Sequence, residues 1–210
     1  MWASAYGVFT NVVTVEASVP FPKTVNGVKV SIGGVDSAIW YVSATQINFQ
    51  IPFASAPGLR TVVVTTPTTT YNGNVRVMPS SPGLIPKDLA TPPKGAIINN
   101  QNHQENSTTN RALRGGIIEI YAVGPGPLSQ ALTDGAITPL TGPLVTTVST
   151  PQVFIGGVEA QVQFSGMTPG SVGLWQINAF IPDLPFITGR MPVQVFLDGV
   201  DSNEVTVFVQ

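Results

Sequence analysis

The sequence predicts an all-β protein built as a duplicated pair of β-sandwich domains. Three observations carry that prediction. Short runs alternate apolar and polar residues with a period of two, 21 glycines and 19 prolines punctuate 210 residues, and one ordered set of motifs occurs twice. Alternation places successive side chains on opposite faces of a strand, and Gly and Pro break the runs into turns. No stretch holds a 3.6-residue period between helix caps.

In chain order, "VKVSI" (28–32) alternates and runs into Gly33-Gly34, "LRTVVVTT" (59–66) stops at Pro67, and "NVRVM" (74–78) stops at "PSSPG". The later half repeats the style in "GGIIEIYAVG" (115–124), "PQVFIGGVEAQVQF" (151–164), "LWQINAFIP" (174–182), "MPVQVFLDGV" (191–200) and "NEVTVFVQ" (203–210). Many short strands joined by tight turns fit a sandwich better than a wound α/β sheet.

The repeat organises the chain. "VSIGGVDSAIWY" (30–41) aligns with "VFIGGVEAQVQF" (153–164), and "QINFQIP" (46–52) with "QINAFIP" (176–182). Each copy then passes a glycine, Gly58 or Gly189, into an alternating strand and a final one. The later copy carries an insertion at "GMTPGSV" (166–172) between the paired strands; loops accept insertions that strand registers do not. The expected domains are 1–80 and 81–210, with "PSSPGLIP" (79–86) as a proline-rich hinge.

Charged residues are only 10% and the net charge is -2, so no basic field is present to hold a phosphate backbone, and nucleic acid is not an expected partner. No apolar run approaches the roughly 18 to 20 residues of a membrane-spanning helix. The opening "MWASAYGVFTNVVTVEAS" lacks the basic start and cleavage site of a signal peptide. With no Cys, disulfides and thiolate zinc sites are excluded. A texture rich in Thr, Ser, Val, Gly, Asn and Gln suits strands and turns and points to an extracellular or cell-surface protein.

The motifs "IGGV", "YVSATQINFQIPFASAPG", "SPGL", "GAIINNQNHQENSTTNRALRGGIIEIYAVGPGPLS", "VFIGGVEAQVQFSGMTPGSVGLWQINAFIP" and "GVDSNEVTVFVQ" span nearly the whole chain. In this order they resemble the uncharacterised C-terminal domain family of acidobacterial, Solibacter-type, exported proteins. "WASAYGVFTN" is similar to that family's opening strand, which follows an earlier one, so the first domain is expected to lack its first strand. The resemblance implies two tandem immunoglobulin-like β-sandwich domains and no activity. The chain departs from it in an amide-richer 100–116 loop and in Pro125, where the family more often has Leu.

The repeated Gln-Ile-Asn is read as a structural device. Ile47, Phe49 and Ile177 enter the core, leaving Gln46, Asn48, Gln176 and Asn178 on the opposite face, where an amide ties a neighbouring backbone to its strand. Amides neither titrate nor attack, and no His, Asp, Glu or Ser recurs at matching places, so no catalytic residue is expected. No cofactor is expected either. His103 has no second ligand beside it and reads as a loop histidine. Asp198, Asp201, Asn203 and Glu204 superficially suggest calcium, but Asp-Gly between alternating strands is a hairpin signal, and no metal site is expected. "GPGP" (124–127) reads as a rigid turn. Trp40 and Tyr41, adjacent in a strand, are expected on opposite faces, and Trp175 in the core. An exposed ring offers polysaccharide as the alternative ligand. Asn106 begins "NST", an N-glycosylation pattern, and "TTPTTT" (65–70) has the density of an O-glycosylated segment. A surface with few charges leaves sheet edges unguarded, so self-association through those edges is expected.

Overall fold

The computed structural model describes residues 1–210 and contains strands and turns but no helix. The chain groups into two compact units. The first holds Met1–Pro79, Ala131–Leu140 and Pro169–Gly173, and the second holds Ser80–Gln130, Thr141–Thr168 and Leu174–Gln210.

In the first unit, β1 (Trp2–Tyr6), β2 (Val15–Glu16), β3 (Lys29–Ile32), β4 (Val35–Asp36), β5 (Ile39–Val42), β6 (Gln46–Gln50), β7 (Gly58–Thr65) and β8 (Thr70–Val77) form two antiparallel sheets. Their orders are β1-β6-β5-β2 and β4-β3-β7-β8. The inward positions of both sheets, Ile39, Val42, Ile47 and Phe49 from one and Val30, Ile32 and Val64 from the other, meet in a single core. Residues 131–140 and 169–173 complete this unit through backbone pairing. Gly135 N–H donates to Gln50 Oε1 at 2.7 Å, Phe21 N–H to the Gly135 carbonyl, Thr138 N–H to the Ser171 carbonyl, and Trp2 Nε1–H to the Val172 carbonyl. Gly135 sits at φ +77°, and a Cβ there would lie 2.3 Å from the Phe21 carbonyl oxygen, so the approach requires glycine.

The second unit contains β9 (Gly83–Leu84), β10 (Ile97–Asn99), β11 (Gln104–Glu105), β12 (Ile117–Val123), β13 (Gln152–Ile155), β14 (Val158–Ala160), β15 (Val162–Met167), β16 (Trp175–Phe180), β17 (Gly189–Leu197), β18 (Val200–Asp201) and β19 (Val205–Val209). One sheet runs β11-β10-β12-β16-β15, with β9 also on β12, and the other runs β14-β13-β17-β18, with β19 also on β17. The orders β10-β12-β16-β15 and β14-β13-β17-β19 are those of an immunoglobulin-like sandwich, A-B-E-D facing C′-C-F-G. Its core joins Ile118, Ile120, Trp175 and Ile177 to Val153, Ile155, Val193, Val205 and Val207. The protein is therefore all-β, with two tandem immunoglobulin-like sandwiches.

The repeat is visible in local geometry. Gly33-Gly34 and Gly156-Gly157 all have positive φ and close two-residue hairpins between Ile32 and Val35 and between Ile155 and Val158. That is the type I′ geometry that matches the twist of the flanking strands. Asp198-Gly199 makes the same turn between Leu197 and Val200, which accounts for the acidic cluster as a hairpin.

The 79–86 hinge requires correction. Gly83 and Leu84 pair with β12, Ser80 Oγ–H donates to Asp198 Oδ2, and Asn203 bonds both the N–H and the carbonyl of Leu84. Three prolines make the segment look unpaired, but a side-chain amide supplies both donor and acceptor and substitutes for a strand neighbour.

Candidate functional site: an open seam beside β1 and β8

Strand β1 pairs with β6 in the register Trp2↔Gln50, Ser4↔Asn48 and Tyr6↔Gln46. Gly7 N–H donates to the Thr45 carbonyl and Ile51 N–H to the Met1 carbonyl, which fixes the alternation. In an antiparallel ladder every second residue turns its N–H and C=O to the partner. Ala3 and Ala5 therefore face β6, and the backbone groups of Trp2, Ser4 and Tyr6 face away from it. No strand lies on that outer side, since β1 ends its sheet.

Strand β8 ends the other sheet. The Thr66–Thr69 bond at the hairpin sets the alternation, so Tyr71, Gly73, Val75 and Val77 face β7, and Asn72, Asn74 and Arg76 turn their backbone groups outward. Tyr71 Oη–H donates to the Val8 carbonyl at 2.9 Å, and its ring meets Phe9 edge-on, which fastens β8 to the segment after β1 at one end. Beyond this staple both edges are free. β1 carries no charge and β8 only Arg76, so neither has the Lys or Glu that usually guards an edge.

The amides occupy the outer face of β6 and β16. Gln46 Nε2–H donates to Asn48 Oδ1 at 2.7 Å, and Gln176 Nε2–H donates to Asn178 Oδ1 at 2.9 Å. The same i to i+2 bond is thus made twice. Ser4 Oγ–H adds a second donor to Asn48. The amides tie side chain to side chain along one strand instead of holding a neighbouring loop's backbone.

Asn106 is 1% exposed. Its Nδ2 donates to Asn99 Oδ1 and to the Phe208 carbonyl, and its Oδ1 accepts from Phe208 N–H at 2.7 Å. Both hydrogens of Nδ2, the atom that would carry a glycan, are engaged inside the fold, so the expectation of glycosylation at Asn106 gives way to a structural role. In "TTPTTT", Thr66 Oγ1–H donates to the Thr69 carbonyl and holds the hairpin turn.

The aromatic expectation also changes. A bulge between Ile39 and Tyr41 inserts an extra residue, so Trp40 and Tyr41 both lie on the outer side of β5 while Ile39 and Val42 fill the core. Trp40 is 37% exposed. It meets Trp2 edge-on, with centroids 5.6 Å apart and planes at 73°, and its Nε1–H donates to Glu16. Trp175 is fully buried and donates to Ser165 Oγ.

No group of three or more His, Cys, Asp or Glu residues comes together. His103 is exposed with Nδ1 3.7 Å from Glu119. A shallow depression lined by Thr150, Gln152, Glu159 and Gln161 holds a single carboxylate, and Gln152 already pairs with it. Elsewhere in the second unit, a bond from Lys94 holds the Glu105 carboxyl below the usual range, and the Lys94 backbone N–H does the same for Asp88. Burial, with the charge of Glu119 beside it, pushes the Tyr121 phenol up to about 12.

No family model and no curated protein matches the chain. Among solved structures, titin Ig tandem domains are similar at 9% identity with a TM-score of 0.27, over 87% of this chain and 80% of that one. No helix is long and apolar enough to cross a membrane.

Proposed function

We propose that the protein is a non-enzymatic, extracellular or cell-surface structural or adhesive protein that associates with itself through sheet edges, as a subunit of a surface layer or filament. The observation that carries this reading is the pair of uncapped edges in the first unit, where the outward N–H and C=O groups of Trp2, Ser4 and Tyr6 meet no strand. Unpaired edge groups bind other edges, and a head-to-tail contact propagates when its rotation does not close. The low charge of the chain and its resemblance to exported acidobacterial domains support the location. Sedimentation velocity across micromolar concentrations, with negative-stain imaging, tests the reading. Concentration-dependent association is expected, and a monomer at every concentration overturns it.

A second reading is a carbohydrate-binding or spacer module of a larger exported enzyme or receptor. It is favoured by Trp40, Tyr41 and the exposed Tyr6 sharing the outer face of one sheet with Gln46 and Asn48. Against it, the two indoles meet edge-on and offer no coplanar strip for stacking on sugar rings. Retention on insoluble polysaccharide that disappears in Trp40→Ala would favour this module.

A further inference from the structure

The second unit shows what fills the corresponding seam. Asn48 and Asn178 occupy the same place in the repeat, so Ser4↔Asn48 and Glu119↔Asn178 match Ser4 with Glu119, Ala3 with Ile118, Ala5 with Ile120 and Tyr6 with Tyr121. The outward groups on β12 belong to Ile117, Glu119 and Tyr121, and β10 with its flanking residues takes all but one: Asn100 N–H donates to the Ile117 carbonyl, Tyr121 N–H to the Ala96 carbonyl, and Ile98 stands opposite Glu119, while the Tyr121 carbonyl accepts from Ile85 N–H. The same segment then crosses to the other sheet. Gly95 N–H donates to the Thr206 carbonyl, Thr206 N–H to the Pro93 carbonyl, and Ala112 N–H to the Phe208 carbonyl. Thr206 and Phe208 match Asn74 and Arg76 of β8, because Gly58↔Val77 and Gly189↔Val209 are equivalent pairs.

Residues 93–112 thus close one seam, whereas the other is fastened at one end only, by Tyr71 against Val8 and Phe9, and no strand among residues 1–210 pairs with the outer side of β1 or β8. The apolar residues on its rim differ accordingly: Val207 and Val209 are fully buried, whereas Val75 and Val77 are half-buried.

We infer that the seam between β1 and β8 is an acceptor site for an extended segment of another polypeptide, uncharged and carrying large apolar residues at alternate positions, which adds antiparallel to β1. This rests on the reading of open edges as the association surface and names the ligand of that surface. The incoming backbone takes the groups of Trp2, Ser4 and Tyr6, as Ala96, Ile98 and Asn100 do in the second unit, and alternate side chains supply specificity. Two features of the first unit define those side chains. Ala5 stands where Ile120 fills the second core, so a large residue opposite it would face a methyl group instead of a second large side chain. Asn99, the inward residue opposite Ile118, is held by Asn106 and the Asn110 carbonyl. The first unit offers no such amide, so an apolar residue replaces asparagine there.

The test uses the full chain with two synthetic peptides, the Gly95–Gln101 sequence and the same sequence with Asn99→Leu. Binding is followed by intrinsic fluorescence and by backbone amide exchange at Trp2, Ser4 and Tyr6. Both peptides should bind saturably and slow exchange at those three amides, with the leucine peptide about tenfold tighter, as one buried apolar side chain allows. Ser4→Pro removes an outward N–H without touching a β1–β6 backbone bond, losing besides it only the Oγ–H bond to Asn48, and should abolish binding in a chain that still folds. Ser4→Ala, which loses that side-chain bond alone, should bind as the parent does. Should that variant not fold, exchange in the parent chain decides. Unchanged exchange rates at saturating peptide overturn the inference. So does protection that follows protein concentration and ignores peptide, because the seams would then pair with each other; that result would leave self-association standing. Peptide binding by a strictly monomeric chain would support the acceptor site and overturn self-association.

Discussion

The two sandwiches share the order of their central strands and an amide motif, and an instructive difference between them is the seam where the two sheets come together. In the second unit residues 93–112 run along β12 and then β19, and the flanking Ile118, Ile120, Val207 and Val209 are fully buried. In the first, β1 and β8 have no such cover, and β1 presents Ala3 and Ala5 at the matching positions. An edge that is permanently covered rewards bulky side chains, since their burial adds roughly 25 cal/mol per Å². An uncovered edge does not, and small residues limit the apolar surface it shows to water. The difference separates the central strands, which the two units share, from the edge cover, which only the second has.

The largest effect is expected from removing the bulk. Ile120→Ala gives β12 the composition of β1 at Ala5 and should cost about 2 to 5 kcal/mol, the range for a fully buried large-to-small change. Denaturant unfolding followed by Trp175, the sole tryptophan of the second unit, measures it. A loss below about 1 kcal/mol would mean that this edge is no more tightly built than β1.

The sequence allowed much of this framework to be read. The double "IGGV" announces two hairpins because paired glycines supply positive φ without a Cβ, and the alternation in "QINFQ" and "WQINAF" assigns each residue to a face. Other features stayed hidden for physical reasons. Residues 131–140 have no periodicity, and their place in the first unit depends on Gly135 meeting Gln50, a contact 85 positions away. The bulge at Trp40 leaves no trace in an alternating run, because a single extra residue turns an outward side chain into two neighbouring ones. Asn106 and Asn203 sit in polar stretches that read as solvated loops, yet each amide bonds a backbone N–H and a backbone carbonyl as a strand would. Composition cannot separate an amide that faces water from one that closes a sheet.

Breaking the cover is the next test. Asn106→Ala leaves Phe208 N–H and Asn99 Oδ1 without their partner inside the fold and should cost about 1 to 3 kcal/mol. Calorimetry should show one lowered transition, and exchange should rise at Phe208 first. An unchanged transition would show that residues 93–112 hold to β19 without this amide, and the contrast between the seams would then rest on β10 alone.

A smaller effect is expected at alkaline pH. Tyr121 donates to Glu119 Oε2, and its phenol is pushed from 10 up to about 12 by burial and by that carboxylate. A raised folded value favours the neutral phenol, so its contribution is fully present below pH 10 and is lost as pH rises from 10 towards 12. The second unit should weaken over that window, and Tyr121→Phe should flatten the dependence. The same slope in Tyr121→Phe would assign it to other groups. Solvent screening keeps the effect below that of Asn106→Ala, because the ring is only half-buried.

The smallest effect concerns what the two units have in common. Asn48 and Asn178 are half-buried, and each accepts from the glutamine two residues before it. Each bond joins two side chains that water can reach, so Asn178→Ala should cost only about 0.5 to 1.5 kcal/mol, the net worth of an ordinary hydrogen bond. Asn48→Ala should cost slightly more, because Ser4 Oγ also donates to Asn48 and would lose its acceptor on β1. A double-mutant cycle between Gln176 and Asn178 isolates the pair, since each single change removes the same bond. A coupling near zero would make the repeated motif a matter of strand register alone. A loss at Asn48 several times that at Asn178 would show that the motif in the first unit, through Ser4 and Asn48, also holds β1 to its sheet.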